Sequence, residues 1–322
     1  MPAVALNIVT YNSADTILTC FASVKAQRFT DFTVQVLDNA STDDTAALIE
    51  ASDIPFQRSD RNLGYAAAHN RLIEATDSRY VLTLNPDVWL APDFLGTMVE
   101  ALDSEANIGS AAGLLLRVER LGDTPAHIDS TGLYMRPNRR QGLCSEGQPI
   151  AQAPSQPRPI FGPDGAAAFY RRAMLDDIRV QGAVFDSDFF MHKEDIDVCW
   201  RAQLRGWSSL YEPRAVAHHV RSFRPDRRER VSGLMRFYAV RNRYLLMIKN
   251  ELPALLWRDL LPIALYEAGI FAYLLLRERA SLRAYAAAWA LRTHMLAKRR
   301  EIHGRLNVGA EQMRRWFSGN CE

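Results

Sequence analysis

Two acidic clusters, far apart in the chain, carry the residue types best suited to chemistry. Leu84-Asn85-Pro86-Asp87 follows the apolar run 80–84, and His192-Lys193-Glu194-Asp195-Ile196-Asp197 follows Phe185-Asp186-Ser187-Asp188-Phe189-Phe190. A carboxylate at a strand end can hold a divalent metal against a diphosphate. A second carboxylate, at the start of a helix, can take a proton from an attacking hydroxyl.

The elements that must position these groups alternate. Strand patterns at 4–10, 33–37, 56–59 and 80–84 are interleaved with helical patterns at 14–27, 43–51, 65–75 and 93–102. Ser13 is placed to cap the first helix and Pro92 to open the last. This alternation predicts an α/β fold with a mostly parallel central sheet flanked by helices. Ligands in such sheets bind at the carboxyl ends of the strands, where Thr10-Tyr11-Asn12, Asp38-Asn39 and Asn85-Pro86-Asp87 fall. Residues 122–163, rich in Gly, Pro, Gln and Arg, read as long loops with a hairpin over the site. A helix over 194–205, stopped by Gly206, carries the second acidic cluster.

The five motifs Val9-Thr10-Tyr11-Asn12-Ser13, Leu37-Asp38-Asn39-Ala40-Ser41-Thr42-Asp43, Arg61-Asn62-Leu63-Gly64-Tyr65-Ala66, Asn85-Pro86-Asp87 and Glu194-Asp195-Ile196-Asp197 occur in that order. Together they resemble the family 2 inverting glycosyltransferases of GT-A fold. The similarity is greatest to bacterial rhamnosyltransferases of cell-surface polysaccharide assembly. The resemblance spans roughly residues 4–220. It implies a nucleotide-sugar site built from Thr10, Asn12, Asp38, Asn39, Arg61, Asn62, Gly64, Asn85 and Asp87. Asp38 would meet the nucleoside, and Gly64 would let the backbone come close or adopt positive φ. It implies Mg2+ or Mn2+ held by Asp87, with His218 or His219 as ligand or proton-sharing donor. Asp195 would be the general base and Glu194 a neighbour that orients or contacts the acceptor. Where many relatives carry Asp-x-Asp, this chain has Asn85-Pro86-Asp87, so only the last carboxylate remains.

The resemblance further implies transfer of one sugar, L-rhamnose from dTDP-rhamnose, to a lipid-linked saccharide. The alternatives are a UDP- or GDP-sugar donor, or a non-catalytic assembly protein that keeps the fold. Gln203-Leu204-Arg205-Gly206-Trp207 does not match the Gln-x-x-Arg-Trp segment of processive synthases, and no P-loop is present.

Charge is distributed unevenly. Residues 221–322 carry 20 Lys+Arg against 9 Asp+Glu, whereas residues 1–220 carry 19 against 28. An acidic catalytic domain over 1–220 and a basic helical region over 221–322 are therefore expected, with helices over 227–250, 254–277 and 281–300. The apolar stretch 260–276, interrupted by Glu267 and flanked by Trp257, Tyr266, Tyr273 and arginines, reads as an interfacial helix. The arginine runs at 224–230 and 298–300 would also permit nucleic-acid binding, but the Leu- and Trp-rich helices between them favour a lipid surface. Cys20, Cys144, Cys199 and Cys321 form no CxxC pair. Their spacing argues against a disulfide framework or zinc site and for a reducing cytoplasm. The expected location is the inner face of the cell membrane.

Overall fold

The computed structural model describes residues 1–221 and 232–321. Helix starts expected within 222–231, and the arginine run there, lie outside the described residues.

In chain order the elements begin with β1 (Val4–Thr10), α1 (Ile17–Lys25), β2 (Phe32–Asp38), α2 (Thr45–Glu50), β3 (Phe56–Arg58), α3 (Gly64–Glu74) and β4 (Tyr80–Leu84). They continue with β5 (Val88–Leu90), α4 (Phe94–Asp103), β6 (Ile108–Arg117), β7 (His127–Ser130), β8 (Leu133–Met135), β9 (Gln141–Leu143), β10 (Arg158–Pro159), β11 (Ala167–Arg171), α5 (Arg172–Asp177), α6 (Glu194–Arg205) and β12 (Ser208–His219). The C-terminal helices are α7 (Gly233–Asn250), α8 (Pro253–Arg258), α9 (Leu260–Arg277), α10 (Arg283–Ala290), α11 (Arg292–His303) and α12 (Ala310–Arg314).

The main sheet runs β10-β12-β6-β11-β4-β1-β2-β3, with β5 on β12 and β7 on β6. Strands β3, β2, β1 and β4 are parallel neighbours, and β11 enters antiparallel between β4 and β6. The chain reverses its direction of travel across the sheet at β1, so the crevice beyond β1 and β4 is the expected ligand position. Buried apolar residues of β1, β4 and α4, such as Leu6, Ile8, Leu82, Phe94 and Met98, form the core beneath it.

Helix α1 begins later than the apolar pattern implies. Ser13 N donates to Thr45 Oγ1 at 2.7 Å and Ala14 N to Asp43 Oδ2 at 3.2 Å, and these contacts hold residues 13–16 in a turn. The expected helix over 254–277 is two helices. Asp259, between them, is drawn out by Arg139 Nη1 at 2.7 Å and Arg258 Nη2 at 2.6 Å. The expected helix over 281–300 likewise divides at Leu291 into α10 and α11. Residues 122–163 do contain a hairpin, β8–β9, which lies against the site.

The expectation of no disulfide is overturned. Cys144 and Cys321 form a disulfide across 177 residues. The C-terminal segment packs on the β8–β9 hairpin: Gly319 N donates to Met135 O at 3.0 Å, and Phe317 lies under the Arg139 guanidinium. Docking, not sequence spacing, brings the two cysteines together. Cys20 and Cys199 are free and buried.

Helix α6 shares one hydrophobic cluster with α7, α11 and the C-terminal turn, through Trp200, Leu245, Met295, Trp316 and Phe317. Each such side chain contributes on the order of 1.5–3 kcal/mol on burial, enough to fasten the helix bearing the second acidic cluster. Helix α9 is different: its 18 residues have mean hydropathy 1.5 and only 11% are buried. Among the described residues it alone is long and apolar enough to cross a membrane, by length and composition. Its Glu267 turns inward to Arg243 and Tyr244.

Candidate active site

The site starts from the strand ends. Thr10 and Asp38 are register partners on β1 and β2. Thr10 Oγ1 donates to Asp38 Oδ1 at 3.2 Å, and Ser41 N donates to Oδ2 at 3.4 Å. Both side chains are fully buried, so they brace the floor of the crevice rather than line it. Asn12, at φ 51°, accepts Thr42 N at 2.9 Å and thereby ties the turn after β1 to that after β2. Asn39 accepts Leu63 N at 2.7 Å and donates to Asn62 Oδ1 at 3.0 Å, which shapes the Asn62-Leu63-Gly64 loop.

Above this floor lies a cleft of about 960 Å³ lined by Asn12, Asn39, Asn62, Gly64, Asn85 and Asp87. Arg61 is exposed and does not line it; Arg120, on the loop after β6, does. No motif marks Arg120 in the sequence, because the fold alone brings that loop to the crevice. Gly64 meets both expectations. Its φ is +76°, and a Cβ there would lie 2.5 Å from Phe190 O.

Strand alternation separates the two histidines. His218 stacks on Trp89 with ring centroids 4.9 Å apart. His219, on the opposite face, places Nε2 3.5 Å from Asp87 Oδ1 and Nδ1 2.8 Å from Asp129 Oδ2. The Asp87 oxygen is buried and accepts no hydrogen bond; 3.5 Å is too long for a good one. Burial opposes charge on His219, but Asp87 and Asp129 outweigh it and push the imidazole up to about 9. Arg221 bridges Asp129 to Asp164. Asp129, Asp164 and Arg221 escape sequence reading, since each lies far in sequence from the carboxylates or on an unpatterned loop.

Asp87 Oδ1 and His219 Nε2, 3.5 Å apart with Asp129 behind the ring, would fit a divalent metal with oxygen and nitrogen ligands once the metal displaces the Nε2 proton. Among the described residues no group of three or more His, Cys, Asp or Glu could hold a metal. Further ligands would have to come from the diphosphate and water, as Mg2+ sites commonly arrange.

The second acidic cluster opens α6. A smaller cleft of about 500 Å³ is lined by Tyr134, Gln141, Asp164, Lys193, Glu194 and Asp195. It adjoins the larger cleft through Tyr65, Asn85, Asp87 and Met191, which line both. Asp195 Oδ2 accepts Gly165 N at 3.3 Å and Oδ1 accepts Ile196 N at 2.7 Å. Burial and the Asp164 charge raise the Asp195 carboxyl to about 6, against the pull of those two N–H groups and Lys193. Glu194 is raised well above its ordinary value, by burial and then by Asp195. Both neighbours are thus raised, as adjacent carboxyls in a shared buried site resist ionising together. With its carboxyl at about 6, Asp195 can accept a proton near neutral pH. Asp197 points away from the cleft, to Arg201, Lys249 and Asn250.

Residues 6–179 match the family model described as glycosyl transferase family 2. The succinoglycan biosynthesis protein ExoO of Rhizobium meliloti is 36% identical over 124 residues, 38% of this chain and 34% of that protein. The chain therefore spans about a third of that relative's length. The N-acetylglucosaminyl-diphospho-decaprenol L-rhamnosyltransferase of Mycobacterium tuberculosis is 27% identical over 246 residues, 68% of this chain and 76% of its own length. Among solved structures, the mannosyltransferase PcManGT from Pyrobaculum calidifontis, in complex with GDP-Man and Mn2+, aligns with TM-score 0.53 at 19% identity. That alignment covers 98% of this chain and 83% of the other. GalNAc-T7 with UDP, GalNAc and Mn2+ aligns with TM-score 0.59 at 12% identity, over 76% and 47% of the two chains. At these identities the likeness is one of fold.

Proposed function

The chain belongs to glycosyl transferase family 2, and from that premise we propose that it transfers a single sugar from a nucleotide donor to a saccharide acceptor with inversion. The observation that carries this reading is the pair of adjoining clefts, with Asp87 at their junction and Asp195, ionised near neutral pH, in the smaller one. The donor occupies the larger cleft, with its diphosphate toward Asp87. The acceptor enters the smaller cleft beside Asp195.

Asp195 takes the acceptor hydroxyl proton as that oxygen attacks the anomeric carbon. The bond from that carbon to the diphosphate oxygen breaks, and the nucleoside diphosphate leaves with the electron pair. No covalent sugar–enzyme intermediate forms. Glu194, beside Asp195 on the first turn of the same helix, lines the acceptor side of the cleft. Asp87 and His219 would hold Mg2+ or Mn2+, which supplies charge neutralisation for the departing diphosphate. Asp129 fixes the His219 ring.

The donor is proposed as dTDP-L-rhamnose and the acceptor as a lipid-linked saccharide. The support is the mycobacterial rhamnosyltransferase, whose match extends beyond the catalytic motifs. The exposed apolar residues Trp257, Leu261, Leu265, Leu276 and Trp289 of α8–α10, with arginines nearby, support seating on a membrane surface.

Thermal melting with dTDP-, UDP- and GDP-sugars, each with and without Mn2+, tests the donor. A ligand of the folded state raises Tm by mass action. The expected result is a metal-enhanced shift with dTDP-rhamnose; a shift with a UDP- or GDP-sugar alone would reassign the donor. Co-sedimentation with anionic vesicles, compared between the parent and Leu261→Glu/Leu265→Glu, tests the membrane seat. Equal sedimentation of both would overturn it.

A further inference from the structure

The segment that delivers Asp195 to its cleft is an unrelaxed loop. Phe190, His192 and Lys193 have φ of 63°, 66° and 73°, in a region that non-glycine residues enter only at a cost. Lys193 is also the N-cap of α6, with no side-chain capping bond. The loop thus needs support from outside itself.

That support comes from α7. Nδ2 of Asn242 lies within hydrogen-bond distance of three loop carbonyls, which share its two N–H groups: Phe189 O at 2.8 Å, Met191 O at 2.7 Å and His192 O at 2.8 Å. Asn242 is completely buried. Its Oδ1 accepts Arg241 Nε at 2.9 Å, and Arg241 in turn reaches Phe189 O at 3.2 Å. On its other side the loop rests on the start of α3, where Tyr65 N donates to Phe190 O at 2.7 Å. The loop is therefore clamped between α3 and α7, and neither contact is made by a residue of the loop's own helix.

Two consequences reach the chemistry. Met191 lines both clefts at their junction. Glu194 and Asp195 form the first turn of α6 directly after the loop, so the loop's path sets the direction in which Asp195 points.

We propose that Asn242 is a positioning residue for the transfer reaction, holding loop 189–193 so that Asp195 faces the acceptor and Met191 stays at the junction of the two clefts. The kinetic part rests on the reading of Asp195 as base; the geometric part does not.

The test replaces Asn242 by Leu, of similar volume and without a donor, and reads two quantities. The first is the methyl resonance of Met191 in protein labelled at methionine methyl carbons, assigned by Met191→Leu. The second is turnover and donor affinity with dTDP-rhamnose. Asn242→Leu should shift or broaden the Met191 signal and lower kcat at least tenfold, with donor Kd changed less than twofold. Asn242→Ser, which keeps one hydroxyl donor, should fall between Leu and parent, and is the variant to read if Asn242→Leu does not fold. An unmoved Met191 signal, or kcat within twofold of parent in the folded variant, overturns the proposal. If Met191 moves while Asp195→Asn retains turnover, the base assignment fails and the clamp stands.

Discussion

Lys249 Nζ lies 2.9 Å from Asp197 Oδ2, and neither side chain is exposed to solvent. The same ammonium reaches Asp186 Oδ2 at 2.7 Å. One cation on α7 thus joins the residues just before the catalytic loop to the first turn of α6. Buried charges are costly unless paired, and removing one partner of such a set strands the others. Lys249→Met should cost about 3–5 kcal/mol in urea unfolding. A loss below about 1 kcal/mol would mean that Arg201 and Lys298 suffice to neutralise the two aspartates.

The same cluster sets an acid limit. Burial alone would raise the Asp186 and Asp197 carboxyls. Lys249 and Lys298 around the first, and Arg201 and Lys249 around the second, outweigh it and hold both below the usual range. Carboxyls lowered in the fold contribute stability above their unfolded pKa, near 4, and lose it as pH falls through the folded value. Unfolding free energy should therefore decline below about pH 4, and less so in Asp186→Asn. Equal acid sensitivity of parent and variant would locate the loss elsewhere.

Asp195→Asn should lower kcat roughly 10²–10⁴-fold, the usual worth of a general base, with nucleotide-sugar binding retained. In the parent, the acid limb of kcat/KM should break near pH 6, where Asp195 takes up its proton. Glu194→Gln should cost far less, because burial and the neighbouring Asp195 charge raise the Glu194 carboxyl and disfavour its ionised form. A Glu194→Gln loss as deep as that of Asp195→Asn would exchange the two roles.

Metal removal with EDTA should suppress turnover, and Mn2+ should restore it. In Asp87→Ala, Mn2+ binding measured by calorimetry in the presence of dTDP should weaken at least tenfold. His218→Ala should leave it unchanged, since His218 faces Trp89.

Reduction of the Cys144–Cys321 disulfide should lower unfolding free energy by about 2–4 kcal/mol. Cys144→Ser should show the same loss with no further effect of reductant. Because the bond ties the C-terminus to the hairpin that lines the smaller cleft, where the acceptor is proposed to bind, KM for acceptor is the kinetic constant expected to rise.

By itself the sequence determined the local and repetitive features. Strands β1 and β4 and helix α6 follow from runs whose apolar period matches the element and whose ends carry clear stop signals, such as Gly206 at φ +87°. Asp87, Gly64, Glu194 and Asp195 could be named because motifs set their types and spacing, and the fold places them along the two adjoining clefts. Only the tertiary structure places His219, not His218, beside Asp87, since that depends on which face of β12 meets Asp87. It alone brought Asp129 and Arg221 beside His219, set Asn242 against the loop before α6, left Arg61 exposed outside the cleft lining, and joined Cys144 to Cys321. These residues act through contacts between segments distant in the chain, and one sequence carries no periodic signal for such contacts. Periodicity reports the face an element buries; what packs against that face is settled only when the whole chain closes on its core.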